Sequence, residues 1–502
     1  MRSMNITDAI RSGFRVLVSR PGGVLPFYLF EGSTALIVRV PLFIGAALAF
    51  IVLLGTGQIA PVIREFQELN SDQLTSPSVD PGQFQGLADA LAGLVTPVTI
   101  AITVISLLSV LVLVFLTRSI AVAGTLHSVY AVQSDREPLL AGVNGIVRDT
   151  LRFIGLQLIQ AGLAILVSLP LVYILLTFNG ISDAFLAVGY GLLWLLALIA
   201  ISVALLFAGP AIVIDDVGPL TAIQKSLGFL RSRIDAVIAY IGVVIIVGIV
   251  AVIVLAITAF LSISRVFVLF LVLAIRPYLD AVKTGLYAED IDLDTTVTGN
   301  VRPVSRSVSA FRNGWTQVVR FATDHPVAYI SSFAIFILGF IIGWIAVSGI
   351  NTEIPPMTDV RNLFGTFPVD VFVQLAANNW YVAANEVFAG VAFAVPTVTN
   401  LLFNGLIVGV VGGMVPPIVF AALVLPHGII EIPALALAGG VGLHLGHVVW
   451  RGVRGRTTTD EVADEIGQAY NVLLGLALLF VIAAFIEAFI TPWIGSMVLT
   501  TG

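Results

Sequence analysis

Residues 416–445 read PPIVFAALVLPHGIIEIPALALAGGVGLHL, a run from Pro416 to Leu445 that is apolar apart from His427, Glu431 and His444. It exceeds the ~20 residues that carry a helix across the hydrocarbon core of a bilayer. Runs of this kind recur along the chain. They are continuous rather than alternating, which excludes a membrane β-barrel and predicts an all-α, polytopic transmembrane helix bundle. The stretch is also costly to bury. A carboxylate near mid-membrane costs roughly 2.5–3.5 kcal/mol on insertion scales. Pro426 and Pro433 each remove a backbone donor, so the carbonyls of Ala422 and Ile429 lose their helical partners. The folded protein must take up these groups, and that makes the stretch the functional lead.

Composition agrees. Of 502 residues, 58% are hydrophobic and 11% charged, and the mean hydropathy is +1.05. The N-terminus is polar with scattered arginines and lacks a cleavage pattern, so the first apolar segment is expected to stay as an anchor. The absence of cysteine excludes a disulfide framework, thiol catalysis and a cysteine metal site. Lysine occurs only at Lys225 and Lys283 among 24 basic residues, the net charge is −6, and acids crowd Asp215-Asp216, Glu289 to Asp294 and Asp460 to Glu465. A lysine-poor, acid-rich exterior suits high salt and predicts a halophilic source. It argues against nucleic acid as a partner. Membrane lipids and other membrane proteins are the expected partners.

Taken in order, Ile6–Val18 predicts a short amphipathic helix, and Gly22 to Leu54 a first apolar segment, tilted and broken around Glu31, Arg39 and Pro41. Residues 56–92 read as a polar loop. Further spans are predicted at 94–116, 153–178, 187–207, 236–260 and 266–287. After an acidic stretch come 327–347, a pair at 376–395 and 397–414 turning at Pro396, then 416–445 and 470–490, about eleven in all. Arginines cluster before the first span (Arg2, Arg11, Arg15, Arg20), at Arg118 to Arg152, at Arg231 and Arg233, at Arg302 to Arg320, and at Arg451 to Arg456. By the positive-inside rule these segments are cytoplasmic, which places the N-terminus inside and the C-terminus outside the cell membrane. Amphipathic stretches at Ile6–Val18, Leu139–Phe153, Leu220–Ile234 and Val304–Phe321 suggest a repeated unit of interfacial helix plus hairpin. The predicted domains are a six-span N-terminal membrane domain (1–287), an acidic linker with an amphipathic helix (288–323) and a C-terminal membrane domain (324–502).

Four stretches carry a resemblance. They are Asn378-Asn379-Trp380-Tyr381-Val382-Ala383, Phe403-Asn404-Gly405-Leu406-Ile407-Val408-Gly409, the block from Pro426-His427-Gly428 and Glu431 through Ala438-Gly439 to Gly446, and Ile486-Glu487-Ala488-Phe489-Ile490-Thr491-Pro492. In this order, over about 325–495, they resemble the stage II sporulation protein M family. The resemblance implies a membrane scaffold that recruits cell-wall-degrading partners during engulfment in spore formers. That protein lacks the long N-terminal half found here. In the N-terminal half, Gly209-Pro210-Ala211-Ile212-Val213-Ile214-Asp215-Asp216-Val217-Gly218-Pro219-Leu220 and Ser226-Leu227-Gly228-Phe229-Leu230-Arg231 resemble membrane domains found beside glycerophosphodiester phosphodiesterases. Related archaeal membrane proteins carry a similar pattern. No phosphodiesterase is implied, because its soluble barrel is absent from the sequence.

The candidate binding cluster is intramembrane: His427, Glu431, Glu487, Asn379, Asn400 and Asn404. On a helix, His427 and Glu431 lie about 40° and 6 Å apart and share a face. One reading is a proton-responsive or ligand-binding pair. The other is an interhelical bond to Asn379, Asn400 or Asn404 that fixes packing. Glu487 is placed to meet Glu386 or Asn385, or the outer interface. Glu31 and Arg39 compensate each other or snorkel. His444 and His447 turn roughly 220° away from Glu431 and ~20 Å along the helix, which gives them an interfacial role. A zinc site needs at least three converging ligands and HExxH is absent, so neither a metal nor a cofactor is expected. No catalytic residue is expected either. The sequence favours a non-enzymatic scaffold or organiser of a membrane complex. The alternative is a transporter or channel for a small solute, proton or lipid.

Overall fold

Helices form wherever the apolar runs lie, because backbone in hydrocarbon must satisfy its own hydrogen bonds. The computed structural model describes residues 6–68, 84–288, 303–348 and 368–501, with no strand among them. The N-terminal elements are α1 (Ile6–Ser19), α2 (Pro21–Gly55), α3 (Ile59–Glu68), α4 (Gln85–Ala92), α5 (Pro97–Gln133), α6 (Pro138–Leu176), α7 (Ile181–Ala204), α8 (Ala208–Asp215), α9 (Pro219–Ser232), α10 (Ile234–Phe260), α11 (Ser264–Phe270), a π turn (Leu271–Ile275) and α12 (Arg276–Tyr287). The C-terminal elements are α13 (Pro303–Asp324), α14 (Pro326–Val347), α15 (Val369–Ala389), α16 (Val395–Met414), α17 (Pro417–Val453), α18 (Thr459–Phe485), a second π turn (Ile486–Ile490) and α19 (Thr491–Thr501).

The chain divides into two compact units, Ala35–Val114, and Met1–Thr34 with Phe115–Gly502. Within Ala35–Val114, Gly45 lets α2 approach α5, since a Cβ there would overlap the Ser106 hydroxyl. The Thr99 hydroxyl donates to the Leu94 carbonyl at 2.8 Å and accepts from the Thr96 amide at 2.8 Å, closing the turn into α5. The predicted polar loop 56–92 contains two short helices, α3 and α4, and its residues 69–83 lie outside the described residues.

In the other unit, the amphipathic N-terminal helix does not stand alone. Gly13 of α1 brings the helix onto α12, where a Cβ would come within 2.7 Å of the Tyr278 ring, and Phe14 stacks on Tyr278 at 5.0 Å. Buried Gln133 ties three elements together, donating to the Ala281 carbonyl at 2.7 Å and the Ser12 hydroxyl at 3.2 Å. Phe207, Phe229, Tyr240 and Val282 form an apolar core around them. Glu31 meets Arg276 at 2.6 Å, not the Arg39 that the sequence offered.

Three expectations are corrected here. The first apolar segment is one continuous helix rather than a broken one. Leu139–Phe153 is not a separate interfacial helix but the first part of α6; Glu137 caps it by accepting from the Leu140 amide at 2.6 Å, and the only proline inside the helix is Pro170. Of the four predicted amphipathic helices, therefore, only α1, α9 and α13 stand as separate elements. The span count also differs. Among the described residues nine helices are long and apolar enough to cross a membrane. The two predicted spans that miss this measure are helical but polar: α12 carries Arg276, Asp280 and Lys283, and α15 carries Asn378, Asn379, Asn385 and Glu386. The acidic linker lies outside the described residues up to residue 302.

The C-terminal helices are built on backbone contact. Gly339 and Gly343 of α14 face the backbone of Leu402 and Leu406, while Gly405 and Gly409 of α16 face Phe336 and Phe340. Residue numbers rise together along both helices, so α14 and α16 run parallel at the close approach that small residues permit. α15, which links them in sequence, packs on α18 in antiparallel fashion: Trp380 donates to the Leu473 carbonyl at 3.0 Å, and Phe372 meets Phe485 at 6.1 Å. Its polar residues face inward, with Glu386 fully buried and Asn379 nearly so. α13 lies on α18 with Gly314 against Gly475.

Candidate functional site

The lead stretch folds as a single helix, α17, with Pro426 and Pro433 inside it. His427 and Glu431 sit on one face as the 3.6-residue period requires. The third member comes from elsewhere. Pro492 supplies no amide to the helix that precedes it, and the chain widens there into the π turn Ile486–Ile490, which carries Glu487. Potential ligand atoms of His427, Glu431 and Glu487 all lie within 4.8 Å of one another, and all three side chains are half-buried. The Thr491 hydroxyl, on a buried residue at the start of α19, lies 3.4 Å from His427 Nδ1. Glu431 Oε2 is buried and has no hydrogen-bond partner among the described residues. The ligand count that the sequence left short is thus met, because the third group arrives from another helix rather than from His444 or His447.

The asparagines do not join this triad. The Asn400 amide donates to Glu386 Oε2, and the Thr397 hydroxyl donates to the Glu386 carbonyl at 2.9 Å. Gly442 of α17 packs on that same carbonyl, where a Cβ would come within 2.5 Å. Glu386 Oε1 is buried without a partner among the described residues. Asn379 accepts from Asn378 at 3.2 Å, and its own buried amide nitrogen is unpaired among the described residues. Asn404 lies one turn beyond Asn400, half-buried, with no hydrogen bond to the triad among the described residues. The single predicted cluster is therefore two: His427–Glu431–Glu487 with Thr491, and Glu386–Asn400–Thr397. Of the places the sequence offered Glu487, namely Glu386, Asn385 or the outer interface, neither residue joins it, and it converges on His427 and Glu431 instead. Sequence reasoning gave Thr491 no role, although its place beside Pro492 after an intramembrane glutamate was a usable signal.

His444 is separate again. It meets Glu465 at 3.1 Å and packs at a tilt against His325, with ring centroids 4.1 Å apart. Both rings line a cavity of about 280 Å³ with Arg320, Asp324 and Gln468. Burial, with His444 beside it, holds the His325 imidazole below its ordinary value. Protonating the buried ring costs the folded state, so stability present above the ordinary histidine range is lost as pH falls from that range through the lowered value. Melting curves should therefore show wild type losing stability in acid relative to His325→Gln, which has no ring to protonate.

Two families match the chain, in separate parts. Residues 332–492 match the stage II sporulation protein M family. Residues 35–289, just over half of the chain, match a family of unknown function, DUF7544. An uncharacterized protein of Methanocaldococcus jannaschii is 31% identical over 182 residues, which is 35% of this chain and 99% of that protein.

The chain belongs to both families, one in each half.

The resemblance read from the four C-terminal stretches is the one the match covers. The N-terminal likeness to domains found beside glycerophosphodiester phosphodiesterases gains no support, since the match there is to the family of unknown function. No solved structure gives a significant match. Every group of both polar clusters, from Glu386 to Thr491, lies inside the sporulation-type region 332–492. With nine apolar helices of spanning length, the protein is a multi-pass membrane protein.

Proposed function

We propose that the protein is a non-enzymatic membrane transporter or channel for a small solute, with His427, Glu431 and Glu487 as its intramembrane binding groups. The observation that carries this is the convergence of three ionisable side chains from two helices, one holding two internal prolines and the other widened into a π turn. Ionisable groups inside a membrane are costly and mark binding pathways, and π turns within helices recur at functional sites. Proteoliposomes containing the purified protein should show a flux that Glu431→Gln reduces at least about tenfold, the loss expected when a group worth ~1.4 kcal/mol or more to the bound state is removed. Equal flux in the variant would sink the reading.

The scaffold role implied by the family is the second reading. Phe311, Trp315 and Val319 form an exposed apolar stripe at i, i+4 and i+8 on α13, which suits an interface helix or a partner surface. Mild-detergent cross-linking from that stripe should then capture a specific membrane protein. Lipid alone would count against it.

The proposed orientation has the N-terminus in the cytoplasm and the C-terminus outside, because the arginine clusters fall in alternate loops. The chain has no cysteine, so single substitutions read out cleanly. Thr177→Cys should label from outside intact cells, and Ser232→Cys only after permeabilisation. The reverse pattern would invert the topology.

A further inference from the structure

We propose that His427, Glu431 and Glu487 form a binding site for a divalent transition-metal cation, such as zinc or manganese. The donor set is one imidazole nitrogen and two carboxylates whose ligand atoms lie within 4.8 Å of one another. An imidazole with carboxylates suits zinc, manganese or iron, whereas magnesium and calcium take oxygen ligands alone. The charges close as well. Two carboxylates and one M²⁺ sum to zero, so the loaded site is neutral, and the penalty of holding two like charges together in hydrocarbon is offset. Glu431 Oε2, buried without a partner, gains one in the bound cation. The Thr491 hydroxyl, 3.4 Å from His427 Nδ1, is placed to fix the ring as an outer-shell group, which is how metal-bound histidines are oriented. Three protein ligands leave a coordination position open, as exchangeable rather than structural sites do. Glu431 is the fifteenth residue of α17 (Pro417–Val453), ~21 Å from its first residue, a depth suited to a midpoint site. As the substrate class of the proposed transport, the inference rests on that reading, and the two are tested apart.

The test is equilibrium dialysis of the detergent-purified full chain against zinc chloride or manganese chloride, with magnesium chloride as control, and metal content measured by mass spectrometry. One zinc or manganese per chain is expected, with no retained magnesium. Affinity should fall at least about tenfold in each of His427→Gln, Glu431→Gln and Glu487→Gln, the loss that removing even an outer-shell partner produces. Thr491→Val changes no charge and keeps the side-chain shape; it should weaken binding by about tenfold, the outer-shell loss, which covers the case in which a ligand variant misfolds. Stoichiometric metal that none of the four variants affects would overturn the inference, and so would no metal above the magnesium control. Flux separates the two readings. A Glu431-dependent flux of another solute without metal binding leaves transport standing and removes the metal. Metal bound at the triad without any flux does the reverse.

Discussion

Gly409→Leu is expected to eliminate the folded protein, with monodisperse material after detergent extraction falling to less than about a tenth of wild type. Any side chain at Gly409 would overlap the Phe340 carbonyl, and a Cβ would lie 2.8 Å from the carbonyl carbon. The obstacle is backbone, so no rotamer change relieves it. The same holds at Gly339, Gly343 and Gly405, where the overlapped atoms are carbonyl oxygens of Leu402, Leu406 and Phe336. Over-packing an adjustable core costs about 1–3 kcal/mol; here α14 and α16 must separate along their whole contact. Lipid supplies no hydrophobic drive to hold them once the close fit is gone. The parallel pair also sets where α15 and α17 lie, so both polar clusters go with it. Gly248→Leu in α10 is the control. Nothing lies within 4 Å of a Cβ there, and fluorescence-detected size exclusion should show a wild-type peak. A wild-type peak for Gly409→Leu would mean that α14 and α16 do not touch as described.

The helical membrane fold was legible because a bilayer admits few alternatives, and runs such as Pro416–Leu445 carry that signal in composition alone. Apolarity misled where polar residues turn inward. α15 holds Asn379 and Glu386 against its neighbours rather than against lipid, and a hydropathy measure cannot tell the two apart. The boundary at Phe153 was misplaced for a related reason: the sequence turns from polar to apolar there, but the backbone meets no breaker and continues as α6. Within the site, the His427–Glu431 pair was readable from helical spacing. Glu487 was readable only as a costly residue, because its partner choice depends on how α18 packs and on the π turn before Pro492. Asn400 was drawn away by Glu386, the most buried carboxylate among the described residues of the C-terminal half. Which of two intramembrane carboxylates recruits an amide is a question of tertiary depth, and periodicity does not carry it.

A second large loss is expected from Asp149→Asn, in the other half of the chain. The Asp149 side chain is fully buried, and its two oxygens satisfy three cationic or potentially cationic partners: His127 Nε2 at 2.8 Å and Arg148 Nη2 at 3.0 Å on Oδ2, and Arg152 Nη1 at 2.8 Å on Oδ1. Arg152 continues to Asp216, so the network joins α5, α6 and the turn between α8 and α9. In that turn Asp216 adopts a left-handed conformation, φ 55°. The Arg152 guanidinium, with Arg148 behind it, holds the Asp216 carboxyl below the usual carboxylate range. That contribution is present above the ordinary aspartate value and fades as pH falls through the lowered one; exposure to water and salt keeps it small. Asp149 is different because water does not reach it. Asparagine keeps the shape but loses the charge, and its amide nitrogen turns a donor toward a guanidinium or imidazole. Breaking a buried ion pair from one side costs ~3–5 kcal/mol. Arg148 and Arg152 keep partial access to water, which favours the lower end of that range. At no more than ~2 °C per kcal/mol, the large-domain end of the scale, the melting temperature should fall by roughly 3–6 °C. A companion variant tests the geometry. Gly145 leaves room for the His127 ring, and a Cβ there would overlap it. Gly145→Ala should therefore displace His127 from Asp149 and destabilise the protein, while adding less than its full effect on top of Asp149→Asn, since both changes break the same contact. Strictly additive losses would mean that the histidine and the aspartate are not coupled.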